Sequence, residues 1–92
     1  MGRRQNDRAP VPDELDLHQL TVDEALIALD RYLNDAFVAG RYQVKIIHGK
    51  GSGTLHRLVQ HHLHGHPLVS SYRPGGYGEG SGGVTVVELA AK

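Results

Sequence analysis

Four side chains in this sequence have the types and neighbours that phosphodiester chemistry requires: Asp16, His18, His48 and Lys50. Imidazole exchanges protons near neutral pH, so a pair of histidines can activate a nucleophile and then protonate a leaving oxygen. Lys50 would offset negative charge on the phosphoryl oxygens. Asp16 has two readings: it orients His18, or it offers its carboxylate to a divalent ion such as Mg2+ or Mn2+, the candidate cofactor. Along an extended strand the two-residue offset is long for a direct Asp16–His18 hydrogen bond.

The run His48-Gly49-Lys50-Gly51-Ser52-Gly53-Thr54 joins a β-branched stretch to a helical one. Glycines there permit a tight backbone, and a helix N-terminus presents unpaired N–H groups, a combination shaped to cradle a phosphate. A Walker A loop is excluded, because Gly51 stands where Ser or Thr must follow Gly-Lys. A dinucleotide fingerprint is excluded too. Gly49-x-Gly51-x-Gly53 has the wrong last spacing, and no acid falls between Asp35 and Glu79 to hold a ribose. Gly49, Lys50, Gly51, Ser52, Gly53 and Thr54 are therefore the expected backbone-binding set.

His56, His61, His62, His64 and His66 invite a zinc reading, as histidine-rich tracts do. Only His62 and His66 share an i, i+4 spacing, no cysteine joins them, and His62 falls on the apolar stripe beside Leu55, Leu58 and Leu63. A solvated or groove-facing helix surface is the expected reading. Tyr72 and Tyr77 flank a glycine-rich stretch, Gly75 to Gly83, and are candidates for stacking on unpaired bases. That stretch is long enough to close over a bound strand, and a loose hairpin connection fits it equally well.

These residues need elements to position them. Leu15 and Leu17 alternate with Glu14, Asp16 and His18, the period of a half-buried strand with Asp16 and His18 on one face. Thr21 to Glu24 form a capping box, and Val22, Ala25, Leu26, Leu29, Leu33, Ala36 and Phe37 recur at helical spacing until Gly40. Val44 to His48 predict a second strand, and Leu55, Leu58, Val59 and Leu63 a second helix stopped by Gly65, His66 and Pro67. Leu68 to Arg73 and Val84 to Leu89 complete the set as strands.

The order strand-helix-strand-helix-strand-strand predicts a two-layer α/β sandwich, with a four-stranded mixed sheet and two helices. Right-handed crossover makes the first two strands parallel, so their carboxyl ends open on one edge. His18 and His48 end those strands, and ligands of open α/β sheets collect at that edge.

A chain of 92 residues holds one modest core. Residues 1–12 read as a disordered leader or linker carrying Arg3, Arg4 and Arg8, and residues 13–92 as the domain. Neither a signal peptide nor a membrane span is present, and the absence of cysteine removes disulfides, thiolate zinc sites and cysteine nucleophiles, leaving a cytoplasmic protein as the simplest reading. The formal net charge is zero, but the charges are segregated. Acids dominate from Glu14 to Gly40, whereas Arg41, Lys45, Lys50, Arg57 and Arg73 run to Gly78 without an acid, together with every histidine but His18. That second half is the expected phosphate-facing surface, with Arg57 and Arg73 among its ligands.

The three segments Leu15-Asp16-Leu17-His18, His48-Gly49-Lys50-Gly51-Ser52-Gly53 and Gly82-Gly83-Val84-Thr85-Val86-Val87-Glu88-Leu89 resemble, in order, those of the Smr (small MutS-related) domain family. The resemblance spans roughly Asp13 to Leu89 and is nearest to the C-terminal domain of the second bacterial MutS paralogue. It implies a fold like the C-terminal domain of translation initiation factor three, and a DNA-nicking endonuclease linked to recombination suppression or DNA repair. Such a domain would be covalently part of a larger MutS-paralogue chain. Relatives that cut messenger RNA at stalled ribosomes make RNA and the ribosome further candidate partners. Asp16, Leu17 and His18 then carry the first functional segment, and His48, Lys50 and the adjacent glycines the second. The competing class is a non-catalytic module that uses the same loop to bind nucleic acid or a ribosome.

Overall fold

The computed structural model describes residues 11–51 and 53–91. The chain runs β1 (Glu14–Asp16), α1 (Val22–Val38), β2 (Gln43–Ile47), α2 (Thr54–Leu63), β3 (Val69–Pro74) and β4 (Val84–Leu89). The sheet order is β1-β2-β4-β3, with β1 parallel to β2 and the other neighbours antiparallel. This is the expected sandwich: both helices lie on one face and enclose a core built from Leu17, Leu29, Leu33, Val44, Ile46, Val59, Leu63, Val87 and Leu89.

Local sequence explains the element ends. The capping box closes as expected, with Glu24 N–H donating to Thr21 Oγ1 at 3.2 Å and Thr21 N–H to Glu24 Oε1 at 3.0 Å. Ala25, Leu29, Leu33 and Ala36 bury the helical stripe, but Val22, at its start, stays 39% exposed and forms a lip of a cleft instead. Tyr32 was absent from that stripe. It is buried, and its hydroxyl donates to the Pro12 carbonyl.

That bond ties the end of the expected leader to the domain. Val11 packs against the core, and its carbonyl accepts from the Arg41 guanidinium. Met1 to Pro10, which held the rest of the expected leader, fall outside the described residues. Among the described residues no helix is long and apolar enough to cross a membrane.

The glycine-rich stretch is a folded connection. Glu79 N–H donates to the Gly76 carbonyl (2.9 Å), Gly76 N–H donates to Glu79 Oε1 (2.9 Å), and Gly83 N–H donates to the Gly80 carbonyl (3.1 Å). These bonds make the loop a sequence of turns, with Tyr77 fully exposed at its tip.

Candidate functional site

β1 and β2 run side by side and stop together, Asp16 pairing with Ile47, so the residues that follow each strand emerge at one edge. His18, Leu20, Val22, His48, Gly49, Lys50, Gly51, Gly53, Thr54, Leu55 and His56 line a cleft there of about 370 Å³. A roomier hollow of about 580 Å³, around Val11, Arg41 and Tyr42, lies at the start of β2 and offers no imidazole or carboxylate. Topology thus brings together residues 30 apart in sequence, as the parallel strands require.

Asp16 and His18 bond directly, contrary to the strand-based expectation. The chain leaves the strand after Asp16, and Asp16 Oδ1 accepts both the His18 backbone N–H (3.0 Å) and the His18 Nδ1 proton. The turn replaces the extended offset that would have kept the side chains apart. The His18 bonds hold the Asp16 carboxyl below its ordinary value of 3.8, the ring bond contributing most. An ionised carboxylate only accepts, so the His18 ring donates from Nδ1, and in its neutral form presents Nε2 as a lone pair, with no partner for it among the described residues. Both side chains are about half exposed.

His48 is built differently. It is buried, Nδ1 donates to the Gly49 carbonyl at 3.0 Å, and Nε2 accepts from the Thr85 hydroxyl at 2.9 Å. Removal from water, opposed by the Gly49 bond and aided by nearby His56, lowers its pKa from 6.5. Both nitrogens are spent inside the protein, so the ring cannot exchange protons with a substrate without giving up a bond. The two histidines expected to act as a pair thus have unlike surroundings, His18 half exposed and His48 buried. His56 stacks on His48 with ring centroids 4.3 Å apart and planes within 6°.

The loop after β2 touches both segments. Gly49 has φ +81°, and a Cβ there would stand 3.2 Å from the His18 Cβ, so only glycine lets β1 and β2 ends approach this closely. The His48 and Gly49 amides both donate to the Gly83 carbonyl at 3.0 Å, and the Lys50 stem packs against Gly83 while its residue stays exposed. Gly53 precedes α2 with φ +88° and has no side chain to cap it, and Gly53, Thr54, Leu55 and His56 at the start of the helix line the cleft. Ser52 lies outside the described residues.

The fold also places two further candidates. Leu17, just after β1, has its side chain fully buried in the core rather than in the cleft. Arg73 is engaged by Glu79 in a two-pronged pair at 2.8 and 3.0 Å, since the folded loop brings back the first acid beyond the basic half. Arg57 is exposed on α2, without an ion-pair partner among the described residues.

A protein-held Mg2+ or Mn2+ does not fit this cleft: the lining has no carboxylate, and Asp16 beside it already shares Oδ1 with His18. Thr85 was missed by sequence reading, although a lone hydroxyl at an inward position of the Val84-to-Val87 run demanded a buried partner. His56 gave no such signal.

A model of the Smr domain family matches residues 15–90. Endonuclease MutS2 of Caldicellulosiruptor saccharolyticus is 51% identical over 75 residues, covering 82% of this chain and 10% of that protein. Endonuclease MutS2 of Staphylococcus saprophyticus is 49% identical over 89 residues, covering 97% of this chain and 11% of that protein. The chain thus spans about a tenth of the length of these curated relatives. Among solved structures, the Smr domain of Thermus thermophilus MutS2 superposes with a TM-score of 0.82 at 39% identity, covering 86% of this chain and 99% of that one. YdaL, a stand-alone small MutS-related protein from Escherichia coli, gives 0.78 at 25% identity, covering 92% and 70%.

Proposed function

The chain belongs to the Smr domain family, and from that premise we propose that it is an endonuclease domain that hydrolyses phosphodiester bonds of DNA in the cleft beside β1, β2 and α2. The observation that carries this reading is the Asp16–His18 pair, whose unpartnered Nε2 stands at a cleft walled by glycine backbone and Lys50. In the proposed reaction a phosphate lies against the backbone of Gly49, Gly51 and Gly53 and the start of α2, where amides and Lys50 balance the charge that grows on its oxygens. His18 Nε2 takes a proton from water as the water oxygen bonds to phosphorus. The bond from phosphorus to the leaving oxygen breaks, and the same proton passes to that oxygen, so one water is consumed per cut. Asp16 holds the ring in the required tautomer and stabilises the imidazolium. His48 has a positioning role: it ties the loop to β4 through Thr85.

Recombination suppression or DNA repair in the cytoplasm is the process such cutting would serve, and RNA is the alternative substrate. The test is the purified chain with supercoiled plasmid and, separately, single-stranded RNA, each with magnesium, manganese or chelator. Nicking of plasmid by the parent and its loss in His18→Ala are expected. A folded parent that binds DNA yet cuts neither polynucleotide under any condition would leave a binding module in place of a nuclease.

A further inference from the structure

At the far end of α2 from the cleft, three side chains from distant parts of the chain meet. Asp30 lies within α1, His62 in the last turn of α2, and His66 in the connection to β3. His62 Nε2 stands 2.8 Å from Asp30 Oδ1, and His66 Nε2 stands 3.1 Å from the same oxygen. All three donor atoms lie within 4.8 Å of one another. Sequence spacing offered only the two histidines, and the carboxylate that joins them comes from 32 residues before His62.

We propose that Asp30, His62 and His66 form a site for a zinc-class divalent ion that staples α1 to the C-terminal end of α2. Two imidazole nitrogens and one carboxylate oxygen suit Zn2+, Co2+ or Ni2+, whereas Mg2+ and Ca2+ call for an oxygen set. In a tetrahedral zinc site, bonds of about 2.0–2.2 Å put neighbouring ligand atoms about 3.3 Å apart. The present N···O separations need to widen by only a few tenths of an ångström. The side chains are 28%, 14% and 57% exposed for His62, His66 and Asp30, which leaves an approach for the ion and room for a water as fourth ligand.

The ion-free bonding also fixes what loading must change. Leu68 N–H donates to His66 Nδ1 at 3.1 Å, so the neutral ring carries its proton on Nε2 and gives it to Asp30. Ligation through Nε2 moves that proton to Nδ1 and gives up the Leu68 bond. One ordinary backbone hydrogen bond is a small loss beside metal–imidazole ligation. None of this rests on phosphodiester cleavage.

The full chain, free of any histidine tag, is titrated with ZnCl2 calorimetrically, and its melting is followed with zinc and then with EDTA. A single ion per chain is expected, with a melting temperature raised by several degrees and restored by the chelator. Asp30→Asn and His66→Gln should each bind at least tenfold more weakly, while a His61→Ala/His64→Ala double variant should bind like the parent. As a readout that needs no variant, the parent loaded with CoCl2 should show the intense visible absorption of a four-coordinate ion. Absence of zinc binding at micromolar concentrations, parental affinity in Asp30→Asn and His66→Gln, weakened affinity in the His61/His64 variant, or only the weak spectrum of hydrated Co2+ would each overturn the proposal.

Discussion

At the scale of single residues, the two histidines that look equivalent in sequence have opposite surroundings. His18 has one nitrogen fixed by Asp16 and the other without a partner among the described residues, whereas both nitrogens of buried His48 are bonded. His18→Ala is therefore expected to slow cleavage roughly a hundredfold or more, with affinity within several-fold and little change in melting, because a proton carrier acts on the transition state. His48→Ala leaves Thr85 without its partner and opens a gap beside His56, and should destabilise by about 1–3 kcal/mol, a loss read by denaturant unfolding. Equal melting points for these two variants would contradict the division of roles. His48 also fixes a pH dependence. Desolvation lowers its pKa in the folded protein, so below about 6.5 the unfolded chain binds a proton that the folded one resists. Its contribution to stability is thus present above pH 6.5 and is lost as the pH falls through and beneath that value. Unfolding free energy measured from pH 7.5 to 5 should drop for the parent and drop less for a folded His48→Gln.

At the scale of elements, what was legible in the sequence was what local chemistry decides. The Thr21–Glu24 capping box, the alternation of β1 and the stripes of α1 and α2 are each written within one or two turns of chain, and all appear in the fold. Parallel pairing of β1 and β2 followed from crossover handedness, and it carries His18 and the loop after β2 to one edge. What was not legible depends on contacts between elements: Glu79 returning to Arg73, Asp30 meeting His62, and Thr85 reaching His48 across the β2–β4 pair. The Asp16–His18 bond was missed for a different reason, because β1 ends at Asp16, two residues before the alternation through His18 implies. The loop itself gives a two-sided prediction. Gly49→Ala must hold a side chain at φ +81° against the His18 Cβ, and should lose about 1–2 kcal/mol of stability. Gly51 has no positive φ, and a Cβ there meets nothing within 4 Å, so Gly51→Val should melt like the parent and fail only where a phosphate must approach the backbone. Unchanged DNA affinity and cleavage in Gly51→Val would show that the loop is a spacer.

At the scale of the whole molecule, the basic half of the sequence contributes less to the cleft edge than its composition suggests. Arg41 spends its guanidinium on the Val11 carbonyl at the start of β2, and Arg73 is paired with Glu79. Lys45 lies on β2 within the field of Glu79, whose carboxyl is drawn down to about 2, chiefly by Arg73. Lys50 and Arg57 remain as exposed cations near the start of α2, a footprint compatible with zero net charge over the chain. Each phosphate neutralised on duplex DNA contributes about −0.9 to the slope of log affinity against log salt, so two contacts, or three with Lys45, give a slope of about −2 to −3. Five independent contacts, as composition alone would count them, would give about −4.5. Fluorescence anisotropy with a duplex oligonucleotide from 25 to 250 mM salt separates these values. Glu79→Gln supplies the internal control, because it releases Arg73 without adding a cation. If Arg73 then reaches a phosphate, the slope should steepen by about one, and an unchanged slope would mean that Arg73 points away from the bound strand. A parent slope near zero would remove the phosphate backbone as the ligand of this edge, since Lys50 and the first amides of α2 have no other ligand of that charge to hold in the proposed reaction.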